Sequence, residues 1–221
     1  MSPSDHPRLS VLAHRSIEVI LANQAPSGAY LASPTFPVYR FSWLRDGAFI
    51  ADAMSKAGQV ASAEAFLAWC ARVLVARADR VDALIARARR GELVPATDHL
   101  HTRYTVDGDE ADDEWWNYQL DGYGAWLWAL GAHHARHGRP IEPYLPGALI
   151  SARYIDAFWT HPSYDWWEEH PAERHVSTLA AVAAGLAAMA GLPGVAAATR
   201  QGFATTARTI SARIDGEASR L

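Results

Sequence analysis

The apolar residues of this chain recur at helical spacing almost from end to end. The gaps between the helical stretches alternate long, short, long, short. Leu12, Ile17, Ile20 and Leu21 form a stripe in a first stretch over about 7–24. A second runs over about 44–57 and stops at Gly58. A third begins near Ala61, with Phe66, Trp69, Cys70 and Val73 on one face; it either runs on or restarts through an arginine-rich stretch to Gly91. A fourth starts near Asn117 and carries Leu120, Leu127 and Leu130, and a fifth covers about 143–160. Leu179, Val182, Leu186 and Met189 mark a sixth, and Phe203, Ala207, Ile210 and Ile214 a seventh. These are i, i+3, i+4, i+7 patterns. No stretch shows convincing strand alternation, so the pattern predicts an all-α fold.

The links carry more information than the helices. Those over about 25–43, 91–116 and 161–172 are long, whereas those at Gly58, at Gly138 and Pro140, and at Gly191 to Gly194 are short. Short links join antiparallel neighbours. If successive helices run up and down, all three long links gather at one end and form a working face there. Each contains an aromatic and acidic cluster: YRFSWLRD, then DGDEADDEWWNYQLDGYG, then HPSYDWWEEHPAE. Trp43, Trp115, Trp116, Trp166 and Trp167, five of the nine tryptophans, lie in these clusters.

A chain of 221 residues, half of them apolar, is expected to form one globular domain over 1–221 with a real core. A net charge of −4 argues against a nucleic-acid surface. No apolar run reaches the roughly 18–20 residues that cross a bilayer, and the start, MSPSDHPRLS, has neither a basic nor an apolar leader region. A cytoplasmic protein is expected. The lone Cys70, in FLAWCARVL, reads as a buried thiol. His133 and His137 have a spacing that could bind zinc, but HExxH is absent and HHARHG reads as cations at a helix C-terminus. For these histidines, and for His99 and His101, structural or surface roles are expected. No metal or cofactor is expected.

Tryptophan offers a broad apolar face with one N–H donor, while carboxylates, guanidinium and amides read hydroxyls by directional hydrogen bonds. A ligand with C–H faces and a rim of hydroxyls satisfies both, and that ligand is a sugar. Two carboxylic groups about a glycosidic bond can hydrolyse it as acid and base. Asp165, Glu168 and Glu169 cluster in DWWEEH, and mutual repulsion with apolar cover favours a retained proton on one of them. Each cluster also has a plainer reading. Arg45 and Asp46 suit an ion pair at a helix start, DGDEADDE a solvated acidic loop, EEH a cap, and the paired tryptophans core packing. Convergence of the three at one end favours the site.

YRFSWLRDGAF, QLDGYGAWLWAL and DWWEEHPAERHVST, in that order, resemble glycoside hydrolase family 15, the glucoamylases, glucodextranases and some bacterial trehalases. The resemblance runs from about residue 8 to the end. It implies an (α/α)6 barrel with about seven of its twelve helices present here. It implies that Glu168 is the general acid and that Arg45 and Asp46 hold hydroxyls of the terminal sugar, with Trp43 in the same motif. It places Tyr39 beside the reacting ring and Trp115 as a stacking residue. Gln119 and Asp121 match the Q-x-D-G segment, and Trp167 and Glu169 the lining next to the acid. Inverting hydrolysis of α-glucosidic bonds, in oligosaccharides or trehalose, is the implied activity.

The family's general base comes from a late barrel loop, and no stretch here matches it. The barrel is therefore expected to be incomplete, a fragment being favoured over completion by another chain. The alternative is a non-catalytic carbohydrate-binding or regulatory module built on the same barrel half.

Overall fold

The computed structural model describes residues 7–218, and among them the chain forms eight α-helices and one short two-stranded ladder. The helices are α1 (Pro7–Asn23), α2 (Leu44–Lys56), α3 (Val60–Val75), α4 (Ala78–Arg89), α5 (Asp121–His137), α6 (Leu145–Phe158), α7 (Val176–Gly191) and α8 (Ala197–Ala218). Strands β1 (Ser42–Trp43) and β2 (Arg103–Tyr104) pair antiparallel, with Trp43 opposite Arg103.

The helices form two layers. Helix α2 packs on α5 and α5 on α7, while α3, α6 and α8 lie behind them as hairpin partners, and α4 is an addition packed on α6. This is part of an all-α barrel. Its core is aromatic: Phe66, Trp69, Tyr104, Tyr123, Trp126, Tyr154 and Phe158 are fully buried, as is the Cys70 thiol, which burial pushes up from its ordinary value. Small residues set the spacing between α5 and α7. A Cβ added at Gly185 would stand 2.6 Å from the Gly124 carbonyl oxygen, so the two backbones meet directly. Among the described residues no helix is long and apolar enough to cross a membrane.

The structure decides one alternative that the sequence leaves open and departs from the sequence expectation at two places. The third stretch restarts as α4, because Arg77 leaves helical geometry (φ −113°, ψ 14°). Its guanidinium donates to the Val73 and Gly108 carbonyls, each at 2.9 Å, and to Glu110 at 3.0 Å, tying the end of α3 to the following loop. Helix α5 starts at Asp121 rather than Asn117, since residues 117–120 form tight turns that aim Gln119 at the site. The β1–β2 ladder was not expected, because two residues per strand are too few to show alternation.

The three long connections precede α2, α5 and α7, the adjacent helices of one layer. Thus the N-termini of these three helices, and the aromatic clusters before them, gather at one end.

Candidate functional site

Residue Trp43 ends β1 and precedes the first turn of α2, whose leading N–H, on Leu44, donates to the Thr102 carbonyl at 3.4 Å. This places Trp43, Arg45 and Asp46 at the helix mouth. Directly behind, Gly47 lies against the Phe66 ring, where any side chain would collide. From α5, Asp121 in the first turn points at the same place. The Arg45 guanidinium donates through one nitrogen to Asp121 Oδ2 at 2.8 Å and to Gln119 Oε1 at 2.7 Å. Burial alone would lower Arg45; Asp121, followed by Asp46 and Glu168, outweighs it and holds the guanidinium above its ordinary value. Burial pushes the Asp121 carboxyl up against the pull of Arg45. Asp46 is also pushed up by burial, with Arg45 opposing from 3.8 Å, although 46% of its side chain remains exposed.

The third segment arrives as a tight turn. Asp165 Oδ1 accepts the backbone N–H groups of Trp167 and Glu169, each at 2.9 Å. Burial would raise the Asp165 carboxyl, but these donors prevail and hold it below the usual range. This overturns one option in the sequence: Asp165 builds the turn and is not the residue that keeps a proton. The turn drives Glu168 into left-handed backbone geometry (φ 63°), rare for a side chain of this size. Strain of that kind persists where surrounding contacts enforce it. Here they do: Glu168 Oε1 accepts the indole N–H of Trp115 at 2.9 Å, the amide of Gln119 at 3.0 Å and the indole N–H of Trp43 at 3.3 Å. Because Arg45 can only donate, the Gln119 oxygen must face it and the amide nitrogen must face Glu168.

These groups surround a pocket of about 200 Å³ lined by Ala32, Tyr39, Trp43, Arg45, Asp46, Trp115, Trp166, Trp167 and Glu168. Seven of the residues named from sequence, Tyr39, Trp43, Arg45, Asp46, Trp115, Trp167 and Glu168, line this one pocket. Gln119 and Asp121 stand behind Arg45, hydrogen-bonded to it. Glu169 lies outside the lining, its side chain 65% exposed beside His170. Of the two adjacent indoles, Trp115 turns inward and Trp116 outward. The sequence did not single out Trp166 for the lining, nor Ala32, which has no chemical signature. A larger opening of about 770 Å³ along α7 and α8 is walled chiefly by alanines and lacks aromatic faces.

The histidines sit elsewhere. His99 and His133 are buried in the core. Among the described residues no group of three or more histidine, cysteine or acidic side chains is placed to hold a metal.

The site combines one donor-saturated carboxylate, a buried guanidinium and an aromatic surround, which suits a single hydroxylated ring. Known proteins agree. The model of "Glycosyl hydrolases family 15" matches residues 6–219. The isomaltose glucohydrolase of Kribbella flavida is 48% identical over 183 residues, 82% of this chain and 48% of its own length. A wild-type glycosidase of solved structure is 41% identical with a TM-score of 0.92, covering 98% of this chain and 59% of its own. A glycosidase variant in complex with glucose is also 41% identical, with a TM-score of 0.87, covering all of this chain and 59% of its own. The chain therefore spans about half the length of the curated relative and about three-fifths of these solved structures. Agreement in sequence, in shape and along nearly the whole chain leads to one assignment: it belongs to glycosyl hydrolases family 15.

Proposed function

We propose that this chain is the acid-bearing part of a hydrolase that releases glucose from the ends of α-glucosidic oligosaccharides, with inversion at the anomeric carbon. Isomaltose-type linkages are the favoured substrate, because the 48%-identical relative is an isomaltose glucohydrolase; maltose and trehalose are the competitors.

The observation that carries this reading is the triple donation to one oxygen of Glu168. Three N–H donors by themselves favour the ionised carboxylate, as at Asp165; what they fix here is orientation, turning Oε1 to the wall and leaving Oε2 to face the substrate. In the acid form Oε2 is the atom that carries the proton and passes it to the glycosidic oxygen as the C–O bond breaks. A 200 Å³ pocket falls below the ~300–1,000 Å³ of drug-sized sites and matches one sugar ring. In it, Arg45 and Asp46 hold hydroxyls of the terminal glucose, Tyr39 and Trp43 flank the ring, and Trp115 and Trp167 cover its faces. Gln119 and Asp121 fix Arg45. Glu169, exposed next to the acid, is left to the departing sugar.

An inverting reaction needs a second carboxylate about 6.5–9.5 Å from the first, across a water. The carboxylates lining the pocket are Glu168 and Asp46, and Asp46 leans on Arg45. We therefore place the general base outside residues 1–221, in the same polypeptide or in a second chain.

The test has two arms. Titrating this chain with glucose and isomaltose should change tryptophan fluorescence, because five aromatic side chains line the pocket. In the polypeptide or assembly that supplies the base, isomaltose should be hydrolysed to β-glucose, read by NMR. Glu168→Gln should lower kcat by about 100- to 10,000-fold, the contribution of a general acid. Hydrolysis by Glu168→Gln at the unmodified rate would remove Glu168 as the acid.

A further inference from the structure

Behind the pocket wall lies a cation that none of the roles above uses. Arg103, in β2, is 0% exposed. One of its terminal nitrogens donates to Asp113 Oδ2 at 2.6 Å, and the other to the Val38 carbonyl at 3.4 Å. Its guanidinium carbon lies 3.8 Å from the centre of the Trp115 ring, 4.2 Å from that of Phe41 and 5.4 Å from that of Trp43. Ladder pairing sets Arg103 directly opposite Trp43.

We propose that Arg103 is the positioning residue for Glu168: its buried guanidinium holds the Trp43 and Trp115 indoles in the orientation that presents both N–H groups to one carboxylate oxygen.

The two rings are 5.7 Å apart and inclined at 73°, so they do not support each other by parallel stacking. Their edge-to-face contact leaves a ring face of each turned to the same planar cation, which lies closer to Trp115 than to Trp43. Arginine is suited to this because its plane stacks on aromatic faces while its edge still donates hydrogen bonds. Full burial of Arg103 makes the ring contacts count, and Asp113 balances the charge. Asp113 lies two residues before Trp115, so the ion pair also anchors the loop that carries that indole. Arg103 thereby joins the first long connection to the second, and the turn at 165–169 docks onto the result. The arrangement acts on Glu168 only through the indoles. For its kinetic consequence this inference rests on the reading of Glu168 as the acid; for its structural consequence it does not.

The experiment uses residues 1–221 and follows the nine indole N–H signals by NMR hydrogen exchange. Two of them, assigned to Trp43 and Trp115 by Trp43→Phe and Trp115→Phe, should be protected, and Glu168→Gln should weaken that protection. Arg103→Met should raise exchange at these two by tenfold or more, with the other seven unchanged. Arg103→Lys, which keeps the charge and loses the plane, should restore only part. Asp113→Asn alters a half-exposed anchor and should act in the same direction by a smaller factor. Unchanged exchange at Trp43 and Trp115 in folded Arg103→Met overturns the proposal; if that variant does not fold, unchanged exchange in Asp113→Asn does so. Where α-glucoside hydrolysis is measurable, Arg103→Met should lower kcat at least tenfold with KM within about threefold. If the polypeptide or assembly that supplies the base hydrolyses no α-glucoside, yet the two indoles respond as described, the hydrolase reading fails and the positioning role stands.

Discussion

Trp115 of the second long connection donates its indole N–H to Glu168 of the third across 2.9 Å, the two lying 53 positions apart in sequence. Ordering two loops to make one bond is costly, and only their meeting at one end of the helical layers makes it possible. Trp115→Phe keeps the ring and deletes the donor. A hydrogen bond to a charged acceptor contributes roughly 1.5–3 kcal/mol, so kcat/KM for the preferred α-glucoside should fall about 10- to 100-fold. Initial rates measure this, with circular dichroism to confirm the fold. Wild-type rates would show that the indole N–H does not orient the acid.

The closeness of α5 and α7 depends on residues without side chains. At Gly124 an added Cβ would meet the backbone of Ala181 and stand 2.8 Å from the Val182 nitrogen. Backbone cannot rotate away as a side chain can. Gly124→Ala should therefore lower stability by about 1–3 kcal/mol, the usual cost of overpacking, despite the better helix propensity of alanine. Urea unfolding would show a lower midpoint; an unchanged midpoint would mean that the two helices can separate freely.

Much of this arrangement could be read from sequence because it is local or periodic. Leu179, Val182, Leu186 and Met189 are spaced for one buried face, and all four are buried on α7. The gathering of Trp43, Trp115 and Glu168 followed from counting link lengths. What escaped notice depends on partners distant in the chain. Arg103 in HTRYTVDGD looks like an ordinary surface cation, and nothing nearby announces that Phe41 and Trp43 will enclose it. Asp165 and Glu168 have the same chemistry and differ only in which accepts backbone N–H groups. The sequence leaves open whether the third stretch runs on or restarts, and a tertiary contact decides it: the loop carbonyl and the carboxylate that Arg77 binds lie some 30 residues onward.

Acid should destabilise the fold through its buried histidines. His99 stacks on Tyr118 at 3.6 Å, and burial, then His161, brings it from 6.5 down to about 3. The unfolded chain takes up this proton near pH 6.5 and the folded one only near 3. Stability is therefore full above about pH 6.5 and falls as pH drops through the window between them. At pH 5 the loss from His99 is about 2 kcal/mol. His101, His133 and His161 are also lowered, by burial first, and add in the same direction. His99→Phe keeps an aromatic stack and should remove about 2 kcal/mol of the change in unfolding free energy between pH 7 and pH 5. Equal pH dependence in variant and wild type would contradict a neutral buried ring.

The Arg45–Asp121 pair allows structural and functional roles to be separated. Asp121 is fully buried and the Arg45 side chain is 11% exposed. Asp121→Asn preserves shape but leaves the guanidinium without its main counter-charge. Breaking a buried pair on one side typically costs ~3–5 kcal/mol; here about 3 is expected, because Gln119 still accepts from Arg45 and Asp46 remains nearby. Chemical denaturation would measure it. Replacing both partners changes the balance: Arg45→Met with Asp121→Leu leaves no unpaired charge, and apolar replacement of a buried pair is often neutral. The double variant should therefore recover most of the lost stability while losing the fluorescence response to glucose, since Arg45 itself lines the pocket. If the double variant were stable and still bound glucose like wild type, the pair would be a structural element only, and the hydroxyl-holding role assigned to Arg45 would have to move to Asp46 alone.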